Sequence, residues 1–359
     1  MDTFAFIIHP INPKRDVSRK YPFLGKVVSE GLINYLCAFF PPVYISKIEG
    51  IVSADTGKQI KGWFVACPLT PARMLTSPEK TVYRKIIQTG QMAEKLGAQI
   101  LGLGAFTSVI GDGGATIADR LDIPVTTGDA YTISIAVQAV RQAAEMMGIP
   151  LSSARAAVVG ATGAIGRVCA EILSRDVGEL TLIGRRIDAL EKQQALIGRG
   201  ANARIKTSTK MDALRRAQLI ITVTSDIHAV IQPEHLLPGS VICDVARPRD
   251  VSKRVAEARQ DILVIDGGMV EVPGNVNFNF DFGFPPGKAY ACMAETMALA
   301  LEGRFEDYTV GKDISSERVE DITEIAARHG FRLSGFRSFE RAVSEGQIEK
   351  VRLLAQTRI

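Results

Sequence analysis

The sequence predicts an α/β protein with more than one domain, and three observations support this fold class. Strand-like and helix-like segments alternate between residues 154 and 265, which is typical of a parallel sheet covered by helices on both faces. A glycine-rich turn at residues 160–166 joins the first of these strands to the first helix. Gly148-Ile149-Pro150 ends a long helical segment just before the alternation begins. The 359 residues are enough for two such domains.

Residues 1–150 are predicted to form one α/β domain. Asp55-Thr56-Gly57-Lys58 has the composition of a turn, so the apolar segments on either side of it are predicted to pair as a β-hairpin. Val82 and Ile86 lie one helical turn apart and indicate an amphipathic helix, and Asp129 is placed to cap the helix that follows residue 128. The predicted strands are residues 4–9, 43–53, 60–67 and 99–103, and the predicted helices are residues 79–96 and 129–147.

Residues 151–275 are predicted to form a second domain, in which strands and helices alternate. The final part, residues 276–359, is predicted to carry helices that pack on the N-terminal domain. The predicted strands of the second domain are residues 156–159, 180–184, 219–224, 241–245 and 263–265, and its helices are residues 165–173 and 188–197. Further helices are expected at residues 288–302 and within the charged segment 315–359.

The glycine turn has the spacing of a dinucleotide-binding motif. Gly160 permits the tight turn after the strand, Gly163 lets the backbone approach a pyrophosphate, and Gly166 allows the helix to pack closely on the strand. Amide groups at the start of the helix then face the phosphates. The motif, followed by further strands, predicts a Rossmann-type domain. Its predicted cofactor-binding residues are Gly160, Thr162, Gly163, Ala164, Ile165 and Gly166.

The end of the second strand of this domain favours NADPH over NADH. NAD sites usually carry an acidic residue about 20 residues after the glycines, where it binds the ribose 2′-hydroxyl. This sequence has Arg185 and Arg186 instead, and guanidinium groups attract a 2′-phosphate and can bind it with two hydrogen bonds. Thr224 and Ser225 follow the next strand and are predicted to border the adenosine half of the cofactor.

Composition excludes several other classes of protein. A net charge of +4 is too small to indicate nucleic-acid binding, and no uninterrupted apolar segment is long enough for a transmembrane helix. The five cysteines are widely spaced and odd in number, which favours a reducing cytoplasm over a disulfide framework. The cysteines and the four histidines show no metal-ligand spacing, so no metal site is predicted.

Cys292 is the strongest candidate for a nucleophile. Pro285-Pro286-Gly287 breaks the chain, and a helix is predicted to begin close before Cys292. The positive end of the helix dipole and Lys288, one turn away, are both expected to favour the thiolate. A packed structural cysteine is an equally good interpretation of this pattern. The other cysteines look like core residues, with Cys67, at the end of a strand, as a minor candidate.

Four phenylalanines alternate with polar residues just before this helix. A period of two would place their rings on one face of an extended segment, where they would line either an apolar substrate channel or an ordinary core. These residues are Phe278, Phe280, Phe282 and Phe284.

Most of the chain resembles the long-chain acyl-[acyl-carrier-protein] reductases best known from cyanobacteria. The glycine turn alone occurs in many dehydrogenases, whereas the block around Cys292 together with the block around Thr107 and Ser108 is more specific. Blocks that carry the resemblance are residues 104–110, 126–128, 158–166, 267–271 and 291–295. Residues 244–250 also resemble glutamyl-tRNA reductases and shikimate dehydrogenases.

The resemblance implies an NADPH-dependent enzyme that reduces a fatty acyl thioester to a fatty aldehyde, with Cys292 as the acylated residue. Thr107 and Ser108 are secondary catalytic candidates and serve equally well as turn residues. The implied partners are acyl carrier protein or acyl-CoA and an aldehyde-consuming enzyme. Alternative functions are reduction of another activated acyl or carbonyl substrate, as in glutamyl-tRNA reductase or shikimate dehydrogenase, and non-catalytic binding of NADPH or lipid.

Overall fold

The computed structural model describes residues 1–21, 23, 27–104, 106–226, 228–246, 248–339 and 341–356. The chain divides into two compact units, each built from several segments. The N-terminal unit comprises Met1–Tyr131, Val270–Asp313 and Asp321–Arg332. The Rossmann unit comprises Thr132–Met269, Ile314–Glu320 and Leu333–Ile359, as far as the last segment is described.

These boundaries differ from the ones that the sequence predicted. Gly148-Ile149-Pro150 does end a helix, but most of that helix belongs to the Rossmann unit, and the boundary falls after Tyr131. The C-terminal residues, from Leu333 onward, also belong to the Rossmann unit, although they were expected on the N-terminal domain. Turn residues mark where a helix ends, and they carry no information about the core against which the helix packs.

The elements of the N-terminal unit come from both ends of the chain. Its strands are β1 (Asp2–Ile8), β2 (Val43–Val52), β3 (Gln59–Ala66), β4 (Leu101–Leu103), β5 (Val125–Thr126), β13 (Gly274–Asn277) and β14 (Lys288–Tyr290). Its helices are α1 (Pro13–Lys20), α2 (Glu30–Leu36), α3 (Pro71–Thr76), α4 (Glu79–Lys95), α5 (Phe106–Val109), α6 (Ala115–Ala118) and α11 (Ala291–Glu302). Three elements cross the unit boundaries: α7 (Asp129–Met146), β12 (Met269–Glu271) and α12 (Ser316–His329).

A six-stranded sheet, in the order β13-β2-β3-β1-β4-β5, forms the centre of the N-terminal unit. Strands β2 and β3 pair antiparallel as the predicted hairpin, while β3, β1, β4 and β5 are parallel. Successive residues of a strand face opposite sides of a sheet. Ile7 therefore packs into the cluster that contains Ile86 of α4, whereas Phe6 lies against Gly102 on the other face.

Helix α11 runs antiparallel to the parallel strands, and this orientation positions the candidate site. Lys58, just before β3, donates hydrogen bonds from Nζ to the carbonyls of Ala300 and Leu301 near the C-terminus of α11, at 3.3 and 2.8 Å. Gly128, just after β5, lies against Cys292 at the N-terminus of the helix. A lysine at the negative end of a helix is a favourable placement. The N-terminus of α11 consequently lies at the carboxyl edge of the sheet.

The Rossmann unit contains a fully parallel sheet in the order β11-β10-β9-β6-β7-β8. Read from β8, this is the strand order 3-2-1-4-5-6 of doubly wound dinucleotide-binding domains. The predicted α/β class and parallel sheet are confirmed. Its strands are β6 (Arg155–Val159), β7 (Glu179–Ile183), β8 (Arg204–Ser208), β9 (Leu219–Thr222), β10 (Val241–Asp244) and β11 (Leu263–Asp266). Its helices include α8 (Ala164–Leu173), α9 (Ile187–Ile197) and α10 (Lys253–Ala258).

The segment after residue 314 is less helical than its charge pattern suggested. Two helices, α12 and α13 (Glu345–Gln356), flank three short strands, β15 (Arg332–Leu333), β16 (Arg337–Ser338) and β17 (Arg341–Ala342). Among the described residues, no helix has the length and apolar character needed to cross a membrane.

Candidate active site

Cys292 is the second residue of α11, in the first turn of the helix. The predicted helix was expected to start at Lys288, but Lys288–Tyr290 is a strand and Tyr290 is the N-cap. Cys37, Cys67, Cys169 and Cys243 are all buried, as the sequence suggested for core residues, whereas Cys292 retains partial exposure. Of the five cysteines it is therefore the least enclosed residue, although its sulfur is itself buried.

The backbone of Gly128 is pressed against Cys292. Gly128 has a φ of 77°, and a Cβ built on it would lie 2.3 Å from the Cβ of Cys292. No non-glycine residue fits this position without displacing the cysteine. The close contact between the backbone after β5 and the start of α11 therefore requires glycine at position 128.

We expect Gly128→Ala to lower the free energy of unfolding by roughly 2–5 kcal/mol, because it combines left-handed backbone strain with overpacking. Gly57→Ala is the matched control, since Gly57 also has a positive φ of 68° but nothing lies within 4 Å of its Cβ position. It should cost only the backbone strain of about 1–2 kcal/mol. Chemical denaturation of both variants measures the difference. Equal losses would contradict the close apposition of Gly128 and Cys292.

Glu295, one helical turn after Cys292, is a fully buried carboxyl group. Burial raises its pKa, and hydrogen bonds from the amide of Gly128 and from three further donors oppose that shift. Its Oε1 accepts hydrogen bonds from the hydroxyl groups of Thr126 at 2.5 Å and Thr309 at 2.9 Å. Its Oε2 accepts one from the amide of Tyr131 at 2.7 Å. Donors of this kind stabilise the carboxylate form. Every residue of the helix from Met293 to Leu301 is buried, so Cys292 and Glu295 do not lie on a solvent-exposed side of it.

The electrostatics of Cys292 are opposite to those predicted. Burial, together with the nearby Asp129 and Glu295 carboxyl groups, raises the pKa of the Cys292 thiol to about 12. Burial and the neighbouring Glu295 likewise raise the pKa of Asp129 to about 8. The helix amides only partly offset these effects, so the resting site contains a protonated thiol beside a protonated Asp129 and a hydrogen-bonded Glu295.

Thr107 and Ser108 lie in the short helix α5, which follows β4 at the same edge of the sheet. The hydroxyl group of Thr107 donates to the carbonyl of Gly104 at 2.8 Å and accepts from its amide at 3.0 Å, so it closes its own turn. Ser108 is buried beside it. Ala105, in the same predicted block, lies outside the described residues. His9, at the end of β1, accepts a hydrogen bond from the amide of Phe106 at 3.2 Å, and burial lowers its pKa to about 4.

The phenylalanines before α11 form a folded aromatic cluster instead of the predicted extended face. Only Phe278 is fully buried, and Asn279 has a φ of 49° that breaks the alternation. Rings contact in the order Phe64–Phe278–Phe282–Phe284–Tyr290, with centroids 4.4–5.7 Å apart. We call these five residues the aromatic cluster. Phe280 is partly buried within the same loop.

The glycine turn of the Rossmann unit has the geometry that a dinucleotide requires. Gly160 has a φ of 83°, and a Cβ there would lie 2.5 Å from the carbonyl oxygen of Val223. A Cβ on Gly166 would lie 2.2 Å from the carbonyl oxygen of Gly160. Helix α8 begins at Ala164, and its N-cap Gly163 supplies no capping side chain. The first-turn amides, including that of Ile165, are therefore available to a pyrophosphate.

The two arginines lie where a 2′-phosphate would reach them. Arg185 and Arg186 are exposed and follow directly after β7, the strand next to β6. Thr162 of the glycine turn is also exposed and lies beside Gly184 at the end of β7. The adenosine ribose of a nucleotide on the glycine turn would lie at this strand end. These residues fit NADPH.

Thr224 is held by hydrogen bonds to a buried carboxylate, whereas Ser225 is exposed. The hydroxyl and amide groups of Thr224 both donate to the carboxylate of the buried Asp250, at 2.5 and 2.9 Å. Thr224 therefore shapes the loop after β9, and Ser225 is the more exposed of the two. Asp244 accepts a hydrogen bond from the amide of Val251 at 3.0 Å and thus caps its own loop. Arg247, in the same loop, lies outside the described residues.

Comparison with known proteins identifies the family. The long-chain acyl-[acyl-carrier-protein] reductase of Synechococcus elongatus is 32% identical over 345 residues, which cover 91% of this chain and 98% of that protein. This chain belongs to that reductase family. The resemblance inferred from the sequence is confirmed, and the chain is an NADPH-dependent oxidoreductase with a Rossmann-type unit.

Other similarities of this reductase are more partial. The aminotransferase PigE of a Serratia species is 32% identical over 284 residues, covering 78% of the reductase but 33% of PigE. The family model for shikimate/quinate 5-dehydrogenase matches residues 141–266, which is most of the Rossmann unit. L-Tryptophan dehydrogenase from Nostoc punctiforme aligns with a TM-score of 0.41 at 13% identity, over 99% of the reductase and 88% of that chain. This value is too low to support an argument about function.

The sequence prediction missed the acidic surroundings of Cys292. The sequence pattern predicted only a helix cap for Asp129 and assigned no role to Glu295. Two signals pointed to them. A glutamate three residues after a cysteine lies on the same side of a helix, and Asp129 follows β5 at the carboxyl edge of the parallel strands, where ligands usually bind.

Proposed function

We propose that this reductase converts a long-chain fatty acyl thioester into a fatty aldehyde through an acyl-enzyme on Cys292. The observation that carries the proposal is the environment of Cys292, whose thiol lies in the first turn of a helix beside two carboxyl groups. Membership of the acyl-[acyl-carrier-protein] reductase family supports the substrate class. The alternative of non-catalytic NADPH or lipid binding does not require this arrangement.

In the first step, the Cys292 sulfur attacks the thioester carbonyl, and the bond from that carbon to the carrier sulfur breaks. The thiol is protonated at rest, so it must lose its proton as the new bond forms. One oxygen of Asp129 accepts this proton while the proton on the other oxygen moves to the departing carrier sulfur. Protons are conserved, and no charge is left on Asp129. The amides at the N-terminus of α11 are suited to stabilise the oxyanion.

In the second step, the acyl carbon would receive a hydride from NADPH, which the glycine turn and Arg185 would hold on the Rossmann unit. The bond between that carbon and the Cys292 sulfur then breaks, and the aldehyde leaves. Asp129 returns a proton to the sulfur and is reprotonated from solvent. Glu295 keeps its hydrogen-bond donors throughout, and its role is to hold Thr126 and Tyr131 around the cysteine. The carriers proposed for the substrate are acyl carrier protein or coenzyme A.

The decisive test is the intact mass of the protein after incubation with palmitoyl-CoA in the absence of NADPH. We expect a mass increase of one palmitoyl group that peptide mapping places on the peptide containing Cys292. Addition of NADPH should remove the adduct and release the aldehyde. A protein that oxidises NADPH with acyl thioesters but never carries an acyl group would instead reduce its substrate directly, which excludes the covalent route.

The arginines after β7 give a separate prediction about cofactor choice. We expect Arg185→Asp to lower the preference for NADPH over NADH by roughly 10- to 100-fold, the value of a hydrogen-bonded ion pair to the 2′-phosphate. Arg199→Asp is the matched control, because Arg199 is an exposed arginine of the same unit beyond the end of α9. Kd values for both cofactors from fluorescence titration give the ratio. An unchanged ratio in Arg185→Asp would remove this arginine from the site.

A further inference from the structure

Residues 11–47 of the N-terminal unit form an exposed apolar and basic surface. Ten of the sixteen large hydrophobic side chains that are exposed among the described residues belong to this segment. Phe23 and Phe39 are 76% and 70% exposed. We call this segment, as far as the structure describes it, the basic apolar surface. Its exposed hydrophobic residues are Ile11, Tyr21, Phe23, Val27, Leu32, Tyr35, Leu36, Phe39, Phe40 and Tyr44.

Helix α2 carries exposed apolar side chains although one side of it is attached to the unit. Ile33 and Cys37, four residues apart, are buried and attach one side of the helix to the unit. Leu32, Tyr35 and Leu36 are apolar as well, yet they are exposed. Several neighbouring apolar side chains left exposed on one short helix are typical of a binding surface. The outward side of α2 therefore has the composition of a surface that is covered by something else.

Most of the charged side chains in this segment are basic. The sequence of residues 11–47 contains six Lys and Arg against two Asp and Glu, an excess of +4 that equals the net charge of the whole chain. Asp16, one of the two acids, is held by Arg15 and Arg19 at 3.1 and 3.4 Å.

Further basic residues reach the same surface from neighbouring helices. Arg73 of α3 donates to the carbonyl of Asn34 at 3.0 Å and lies over the ring of Tyr35. Lys85 of α4 donates to the carbonyl of Phe40 at 2.7 Å. Arg73 and Lys85 add two positive charges to this region, and Glu49, which pairs with Lys47 just beyond the segment, removes one.

We propose that the basic apolar surface binds the headgroup region of an anionic phospholipid bilayer. Exposed aromatic and aliphatic side chains surrounded by Lys and Arg are typical of segments that lie in a membrane interface. A second copy of the chain would bring two positive surfaces together, which is unfavourable. Protein–protein interfaces are also depleted in lysine, whereas Lys14, Lys20 and Lys47 occur in this segment.

The same surface is continuous with the aromatic cluster beside the cysteine helix. Ser46 donates to the carbonyl of Phe278 at 2.8 Å, and Asn279 donates to the carbonyl of Lys47 at 3.1 Å. The guanidinium of Arg19 lies against Gly283 of the same loop. A bilayer on this surface would therefore lie next to the rings that lead to Tyr290. The membrane binding itself does not depend on the reaction proposed for Cys292.

The test is sedimentation of the full chain with vesicles of phosphatidylcholine containing about 30 mol% phosphatidylglycerol. We expect binding to these vesicles, weaker binding to pure phosphatidylcholine, and loss of binding at about 1 M NaCl. The double variant Phe23→Ser/Phe39→Ser should bind at least about 10-fold more weakly. The matched control Leu196→Ser/Leu353→Ser removes two side chains that are 63% and 53% exposed in the Rossmann unit, and it should bind like the wild type.

Three results would overturn the proposal. The first is wild-type protein that stays in the supernatant with anionic vesicles, and the second is vesicle binding that the Phe23/Phe39 variant retains. The third is a concentration-dependent dimer in sedimentation velocity that the same variant abolishes, which would assign the surface to a second copy. Thermal melting of each variant checks folding, and Cys292→Ala should sediment with vesicles like the wild type, which separates this proposal from the catalytic one.

Discussion

Replacement of Cys292 by alanine is expected to lower the rate of NADPH-dependent acyl thioester reduction by at least on the order of 10³-fold, because the attacking atom is removed. The acyl adduct seen without NADPH should disappear from the mass spectrum. NADPH affinity should stay unchanged, since the glycine turn and the arginines belong to the Rossmann unit. Steady-state NADPH oxidation, intact mass and cofactor titration measure these three quantities.

Cys67→Ala is the matched control for this prediction. Cys67 follows β3 at the carboxyl edge of the same sheet, but the residue is fully buried. The alanine variant should retain the adduct and most of the activity. If the adduct survived Cys292→Ala and disappeared in Cys67→Ala, the nucleophile would be Cys67, and the site proposed around Asp129 and Glu295 would be wrong.

The Rossmann unit could be predicted from sequence because its signals are local. The glycine spacing, the alternation of apolar strands with helices and the turn after each strand all lie within a few residues of the structure they specify. Strand β8 was missed, since Arg204–Ser208 lies at the edge of the sheet and contains only one large apolar residue, Ile205. The hairpin of β2 and β3 was predicted for the same local reason, from its turn residues.

The chemical environment of Cys292 could not be predicted, because it is assembled from distant parts of the chain. Asp129 precedes Cys292 by more than 160 residues, and Thr309 reaches Glu295 from the segment after α11. The sequence showed a helix N-terminus and a nearby lysine, which lower a thiol pKa. Burial and two carboxyl groups act in the opposite direction and dominate. The sign of a pKa shift depends on tertiary neighbours.

The boundaries of the two units were mispredicted for a related reason. Helix α7 is continuous from Asp129 to Met146, yet its first turn carries Asp129 and the amide of Tyr131 to Glu295. Further along the same helix, Arg141 pairs with Asp176 of the Rossmann unit at 2.7 Å. A helix that serves both units has no sequence signal at the point where one unit ends.

Replacement of Asp129 by asparagine is expected to lower kcat for thioester reduction by about 10²-fold or more, because an amide cannot relay the Cys292 proton. Burial and Glu295 raise the pKa of Asp129 to about 8, so the wild-type rate should fall as pH rises through this value and the protonated carboxyl group is lost. The variant should lack this limb of its pH profile. Asp122→Asn, which changes an exposed carboxylate of the same unit, should leave both the rate and the profile unchanged.

The same substitution should stabilise the folded protein, which distinguishes a catalytic role from a structural one. In the unfolded chain Asp129 ionises at its ordinary pKa of 3.8, whereas in the folded protein it keeps its proton up to about pH 8. Folding therefore takes up a proton between these values, and wild-type stability should fall as pH rises from about 4 to 8, by at most about 1.4 kcal/mol per pH unit. The asparagine side chain of the Asp129→Asn variant cannot ionise, so the melting temperature of the variant should exceed that of the wild type increasingly toward pH 8. A variant that is less stable at pH 8, or one that gains stability without losing kcat, would contradict the role assigned to Asp129.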